Sequence, residues 1–162
     1  MTQAFHEYFM RLALALADKA GAEGEVPTGC VIVEAPASPD AMPVAAKIIG
    51  KAHNQTETLH DPTAHAEMIA ISQAAEVKGD FRLTDTILYV TKEPCAMCAG
   101  AIVLARIPTV VWGVSDPKRG GESNFGILSS DALIHRPKII KEVLGEEAKI
   151  KLQEFFKERR KQ

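Results

Sequence analysis

The chain has 162 residues, 46% of them hydrophobic and 25% charged, with a net charge of −2. This is the composition of one globular domain, long enough to bury a core without disulfides. No run reaches the roughly 18 apolar residues that a membrane span takes, and the start of the chain is interrupted by Arg11, Asp18 and Lys19. The expectation is therefore a cytoplasmic protein with neither membrane span nor secretory leader. Three cysteines cannot all pair, and Cys95 and Cys98 sit three residues apart, so metal or redox chemistry fits them better than a structural disulfide.

The first segment places Phe5, Tyr8, Phe9, Leu12 and Leu16 at helical spacing, with Thr2 as its cap and Gly21 and Gly24 at its end. Residues 28–34 (TGCVIVE) read as a buried strand in which Cys30 is a small hydrophobe. The proline-rich stretch 35–42 is a loop, and residues 44–52 read as the second strand of a hairpin. A helix follows over 64–79, with Thr63 or Asp61 near its cap and Gly79 past its end. Residues 86–91 read as a strand, and 95–106 as an alanine-rich helix started by Pro94 and stopped before Pro108. Residues 109–114 make another strand with Trp112 in the core, followed by the turn-rich loop 115–126. A short apolar piece at 139–143 precedes a last helix over 146–160. This order predicts a single α/β domain spanning 1–162, a three-layer α/β/α sandwich around a mixed five-stranded sheet.

Charge is uneven along the chain. Residues 1–135 hold 10 Lys and Arg against 16 Asp and Glu, whereas residues 136–162 hold nine against five. A solvated terminal helix accounts for this, and so does a basic arm that meets a polyanion. Composition does not choose between them.

Two fragments carry chemistry: His65-Ala66-Glu67 opening one helix and Pro94-Cys95-Ala96-Met97-Cys98 opening the next. Cysteines at i and i+3 in a first helical turn face one side, and a helix N-terminus favours the thiolates that bind zinc. Two thiolates and one histidine make three ligands, the number that leaves a position for water in a catalytic zinc site. Glu67, about 200° around a helix from His65, is free to act as a general base on that water. Cys-x-x-Cys after a strand also suits a thiol oxidoreductase, but no Trp precedes the first cysteine and His65-x-Glu67 would be idle there. A structural zinc would need a fourth ligand, and His53, His60 and His135 have no fixed spacing to the other three.

His-x-Glu followed by Pro-Cys-x-x-Cys resembles the zinc-dependent cytidine and adenosine deaminase superfamily. Within it the chain is similar to the bacterial tRNA-specific adenosine deaminases. The similar stretches are Glu25-Val26-Pro27, Asn54, residues 60–67 (HDPTAHAE), residues 88–91 running into 93–102 (EPCAMCAGAI), Arg106-Ile107, residues 110–114, and Phe155-Phe156 before Arg159-Arg160. The resemblance implies a cytidine-deaminase-like fold and zinc held by His65, Cys95 and Cys98. It implies hydrolysis of adenosine to inosine at the wobble position of a tRNA anticodon, through a zinc-activated hydroxide with Glu67 moving the protons. It further implies a homodimer, and substrate contacts from Asn54, from backbone near Ala66 and Pro94, and from Asp116 and Lys118. A basic surface with aromatics, namely Arg119, Phe156, Arg159 and Arg160 with Lys161 beside them, would meet the anticodon stem-loop; one of Phe155 and Phe156 can anchor while the other meets RNA. Two stretches depart from the family: residues 35–42 look like a surface insertion, and the ESNFG end of the 115–126 loop is unfamiliar. A free-base or nucleoside deaminase of guanine or cytosine type is the alternative. A non-catalytic zinc RNA-binding module would have no use for Glu67.

Overall fold

The computed structural model describes residues 1–161 and has five strands in one mixed sheet, ordered β2-β1-β3-β4-β5. The elements run α1 (Gln3–Ala22), β1 (Gly29–Glu34), β2 (Ile48–His53), α2 (Thr56–Leu59), α3 (Ala66–Lys78), β3 (Thr86–Lys92), α4 (Ala96–Leu104), β4 (Thr109–Val114), β5 (Lys138–Ile140) and α5 (Gly145–Arg159). β1 pairs antiparallel with β2 and β3, while β3, β4 and β5 run parallel.

Alternation along the three central strands sorts the side chains into two cores. Cys30, Ile32, Leu88, Val90, Val110 and Trp112 face α3 and α4. Val31, Val33, Ile87, Tyr89 and Val111 face α1. Both faces of β1, β3 and β4 are thereby covered, which gives their near-continuous apolar runs. α1 begins where expected, with Thr2 Oγ1 accepting from the Phe5 N–H at 3.2 Å, and its turn out passes through Gly24 at φ 80°, a conformation that glycine adopts without strain. Gly29 lies against the Ala13 carbonyl of α1, so a Cβ there would collide with backbone. Ala148 of α5 joins the same layer. The layered fold is the expected one.

Several boundaries differ from the sequence-based expectation. The second strand starts at Ile48, because Pro43 opens a 3-10 turn over Pro43–Ala45 whose N–H bonds return to Met42 and Pro43. α3 is capped by His65, not by Asp61 or Thr63. Asp61 Oδ1 instead accepts from the Thr63 N–H and hydroxyl at 2.8 and 2.7 Å, closing a turn before the helix. α4 stops at Leu104, with Arg106 in a left-handed turn, and the last strand lies at Lys138–Ile140. α2 has only four residues and no apolar period to reveal it. Among the described residues no helix is long and apolar enough to cross a membrane.

Candidate metal centre and active-site cavity

The parallel crossover β3-α4-β4 places the N-terminus of α4 beyond the end of β3, facing the N-terminus of α3. Cys95 is the N-cap of α4, Cys98 lies in its first turn, and His65 is the N-cap of α3. Cys95 Sγ and Cys98 Sγ lie 3.6 and 3.5 Å from His65 Nδ1, and all three donor atoms fall within 4.8 Å of one another. Ligands at zinc–sulfur and zinc–nitrogen distances of about 2.3 and 2.05 Å in a tetrahedron sit about 3.6 Å apart. The donor set therefore fits zinc in chemistry and spacing without rearrangement.

The three donor groups are coupled to one another and to Glu67. Hydrogen bonding from Cys98, and then from His65, brings the Cys95 thiol down to about 3 against the opposing effect of burial. Cys98 moves the other way, raised by its bond to Cys95, by burial and by the Glu67 charge. His65 is raised, chiefly by Cys95. Glu67 is 3% exposed, and burial raises its carboxyl above the usual range despite the attraction of His65. Cys30 lies buried in the same core and is not part of the donor cluster.

These groups open into a cavity of about 260 Å³ lined by His65, Glu67, Cys95, Asn54, Thr28, Thr56 and Val26, and by Lys92, Glu93, Arg119 and Phe156. A second, larger cavity of about 730 Å³ shares Lys92, Arg119 and Phe156 and adds Asp116, Lys118, Arg159 and Arg160. It carries five cations and one carboxylate. The terminal helix and the 115–126 loop, distant in sequence, thus meet around one mouth.

The expected site residues divide accordingly. Asn54 lines the inner cavity beside His65, Glu67 and Cys95. Ala66 and Pro94 are buried but do not line it, and the Pro94 carbonyl accepts from the Gly121 N–H at 2.7 Å. Asp116 and Lys118 belong to the outer cavity. Asp116 pairs with Lys92 at 2.5 Å, and its Oδ1 accepts from the Lys118 and Arg119 N–H groups at 3.1 Å each, so it also shapes the loop. Phe156 is 45% exposed, while Phe155 packs beside Ala17, Gly21 and Pro27 with Arg159 over its ring. Arg159 is partly committed to the protein itself: it donates to the Gly24 carbonyl at 3.0 Å and lies 3.9 Å from Glu57. Arg160 donates from Nε to the Phe156 carbonyl.

Sequence reasoning gave no role to three charged residues that lie in or directly behind these walls. Lys92 bridges the cavities. Glu93, 2% exposed, accepts from the N–H groups of Asp116, Glu122 and Ser123 and from the Ser123 hydroxyl, pinning the loop beside Cys95. Glu25 is wholly buried beside Asn54.

Residues 3–114 match the family described as the cytidine and deoxycytidylate deaminase zinc-binding region. The tRNA-specific adenosine deaminase of Streptococcus pyogenes is 42% identical over 154 residues, 94% of this chain and 91% of that protein. A structure from a study of A-to-I editing by tRNA:A34 deaminases at the wobble position of transfer RNA superposes with a TM-score of 0.79 at 40% identity, covering 90% of this chain and 99% of that one. A guanine deaminase from Bacillus subtilis superposes with a TM-score of 0.58 at 40% identity, over 68% of this chain and 64% of its own. The chain belongs to the zinc-binding cytidine and deoxycytidylate deaminase family and, within it, to the tRNA-specific adenosine deaminases.

Proposed function

We propose that this protein hydrolyses adenosine to inosine at the wobble position of a tRNA anticodon. One observation carries the reading beyond the family: the small cavity at the metal-ligand cluster shares Lys92, Arg119 and Phe156 with a cationic cavity bearing an exposed aromatic ring. An enzyme acting on a base within RNA needs both, a pocket for one splayed-out nucleotide and a surface for its phosphates and neighbouring bases.

A zinc ion, when bound by His65, Cys95 and Cys98, supplies Lewis-acid activation of a water molecule at neutral pH. Glu67, buried and with a raised affinity for protons, takes the proton of the attacking water and passes it to the ring nitrogen next to the reacting carbon. A bond from that carbon to oxygen forms; Glu67 then takes the second proton from that oxygen and delivers it to the exocyclic nitrogen, whose bond to carbon breaks to release ammonia and leave the carbonyl of inosine. Asn54 holds the nucleoside, with the backbone near Ala66 and Pro94 bordering the reacting group. Lys118, Arg119 and Arg160 bind phosphates, Asp116 keeps Lys118 and Arg119 in place, Phe156 stacks on a base, and Arg159 braces the wall. Residues 1–162 act as one catalytic domain in a cytoplasmic homodimer. That reading rests on the family likeness, and light scattering of the purified protein tests the dimer.

Deamination of free guanine is the second reading, favoured by the likeness to the Bacillus subtilis guanine deaminase and by the unfamiliar end of the 115–126 loop. Measuring kcat/KM on an anticodon stem-loop beside free guanine, adenine and cytosine decides between them. The stem-loop should be preferred by orders of magnitude. Preference for guanine would overturn the RNA reading.

A further inference from the structure

Of the three neutral polar side chains that line the inner cavity outside the metal-ligand cluster, two are already engaged. Asn54 Nδ2 donates to Glu25 Oε2 at 3.2 Å, and the Thr56 hydroxyl donates to the same oxygen at 3.2 Å. The third is Thr28, which is 8% exposed. Its backbone is satisfied: the N–H donates to the Val26 carbonyl at 2.7 Å, and the carbonyl accepts from the Asn54 N–H at 3.0 Å. Its hydroxyl has no protein partner among the described residues, yet none of their unpartnered side-chain oxygens is sealed from solvent. The hydroxyl therefore faces the cavity that Thr28 lines.

The fold explains this placement. Side chains alternate along β1. Val31 and Val33 turn towards α1, and a Cβ on Gly29 would run into the Ala13 carbonyl of that helix. Thr28 falls on the other face with Cys30 and Ile32, over α3, and its bond to Asn54 carries the β1-β2 pairing one residue beyond Gly29. Thr28 thus shares a wall with His65 and Glu67 at the start of that helix. A hydroxyl so nearly buried and without a partner costs about as much as a lost hydrogen bond, unless a molecule in the cavity takes it up. Valine, with the same shape, would fill this place without that cost.

A hydroxyl can donate or accept, and an adenine in the cavity decides which. Its 6-amino group is the one that leaves, N1 receives the proton from Glu67, and N9 carries the sugar. N3 and N7 remain, and both are acceptors. We propose that Thr28 reads the target base, its hydroxyl donating a hydrogen bond to N3 or N7 of the adenine. This deepens the adenosine reading above and rests on it.

The test uses zinc-loaded protein and three stem-loops, with adenosine, 7-deazaadenosine or 3-deazaadenosine at the target position. Each analogue replaces one acceptor nitrogen by C–H, and comparing two proteins on the same substrate cancels its intrinsic reactivity. Thr28→Val should lower kcat/KM on the adenosine stem-loop by about three- to tenfold, the size of one neutral hydrogen bond, with zinc content unchanged. That loss should vanish on the analogue lacking the nitrogen that Thr28 meets and persist on the other, which identifies the nitrogen. Thr28→Ser keeps the hydroxyl and should retain most of the wild-type rate. An equal loss on all three substrates, or no loss on adenosine, overturns the proposal. So does a Thr28→Ser protein as impaired as Thr28→Val, which would make packing of the methyl group the cause. Should Thr28→Val not fold, Thr28→Ala set against Thr28→Ser gives the same comparison. A wild type that converts only free guanine sinks the adenosine reading itself, and the assignment to N3 or N7 with it.

Discussion

The inner and outer cavities share Lys92, Arg119 and Phe156 but are built in opposite ways. The inner one draws its reactive groups from two helix N-termini fixed by β3 and by the turn before α3, with Glu67 and Cys98 buried. The outer one borrows exposed side chains from a loop and from the last turn of the terminal helix. Buried donors on regular elements hold an ion and a proton-transfer group to within a fraction of an ångström, as bond making requires. Exposed cations on a loop and a helix end meet phosphates, whose attraction is long-ranged and tolerant of position. Chemistry and substrate choice should therefore fail separately, and in different observables.

The largest failure should follow Cys98→Ala. It removes a fully buried ligand, so metal analysis should find zinc lost and assays should find activity at background. Full zinc in that variant would mean that the ligand set is wrong. Glu67→Ala should keep its zinc and lose about two to four orders of magnitude in turnover. Loss of zinc there would make Glu67 a ligand, and wild-type turnover would leave it without a role.

Between the two cavities stands Glu93, and Glu93→Ala leaves three N–H groups and a hydroxyl without their acceptor. A cost of about 2 kcal/mol is expected, seen as a melting temperature lower by about 4–8 °C; an unchanged melting curve would show that the loop is held by other contacts. On the outer side, replacing Lys118 and Arg160, which do not line the inner cavity, by Ala should flatten the salt dependence of stem-loop binding. The slope should fall by about 0.7 to 0.9 for each phosphate that is no longer neutralised, while turnover of a free nucleoside stays unchanged. An unaltered slope would move the RNA surface elsewhere.

The smallest effect concerns the core under α1. His6 Nδ1 lies 2.9 Å from the Tyr89 hydroxyl, and burial, followed by the N-terminal amine and Lys138, lowers its pKa below 6.5. The folded protein thus binds fewer protons than the unfolded chain once pH drops below 6.5. This share of stability is intact above that pH and is lost as pH falls towards the folded pKa. Melting temperature should fall less between about pH 7.5 and about pH 5.5 in His6→Gln than in wild type. Equal falls would show that His6 does not contribute to the acid loss.

Legibility in the sequence followed the same division. The strands at 86–91 and 109–114 and the capped first helix were readable because their signals are local: apolar runs, a Thr cap, a closing glycine. His65, Cys95 and Cys98 were readable because each fragment fixes its own geometry within one helical turn, although only the fold brings them to 3.5 and 3.6 Å. Glu93 and Glu25 had no such signal, since their partners lie 23 to 33 residues away. The cap of α3 was legible only to its neighbourhood, because Asp61 and Thr63, good capping residues both, are used in a turn of their own just before His65. Arg159 read as a surface cation, whereas its partner, the Gly24 carbonyl, comes from the other end of the chain.

The cluster at His65, Glu67, Cys95 and Cys98 is proposed to hydrolyse adenosine presented within RNA. The most direct measurement uses zinc-loaded protein and a stem-loop with one adenosine at the wobble position, incubated in heavy-oxygen water and analysed by mass spectrometry of the digested nucleosides. Inosine is expected at that position, carrying the heavy oxygen and formed over many turnovers. An unchanged adenosine under conditions in which the same protein converts free guanine would contradict it.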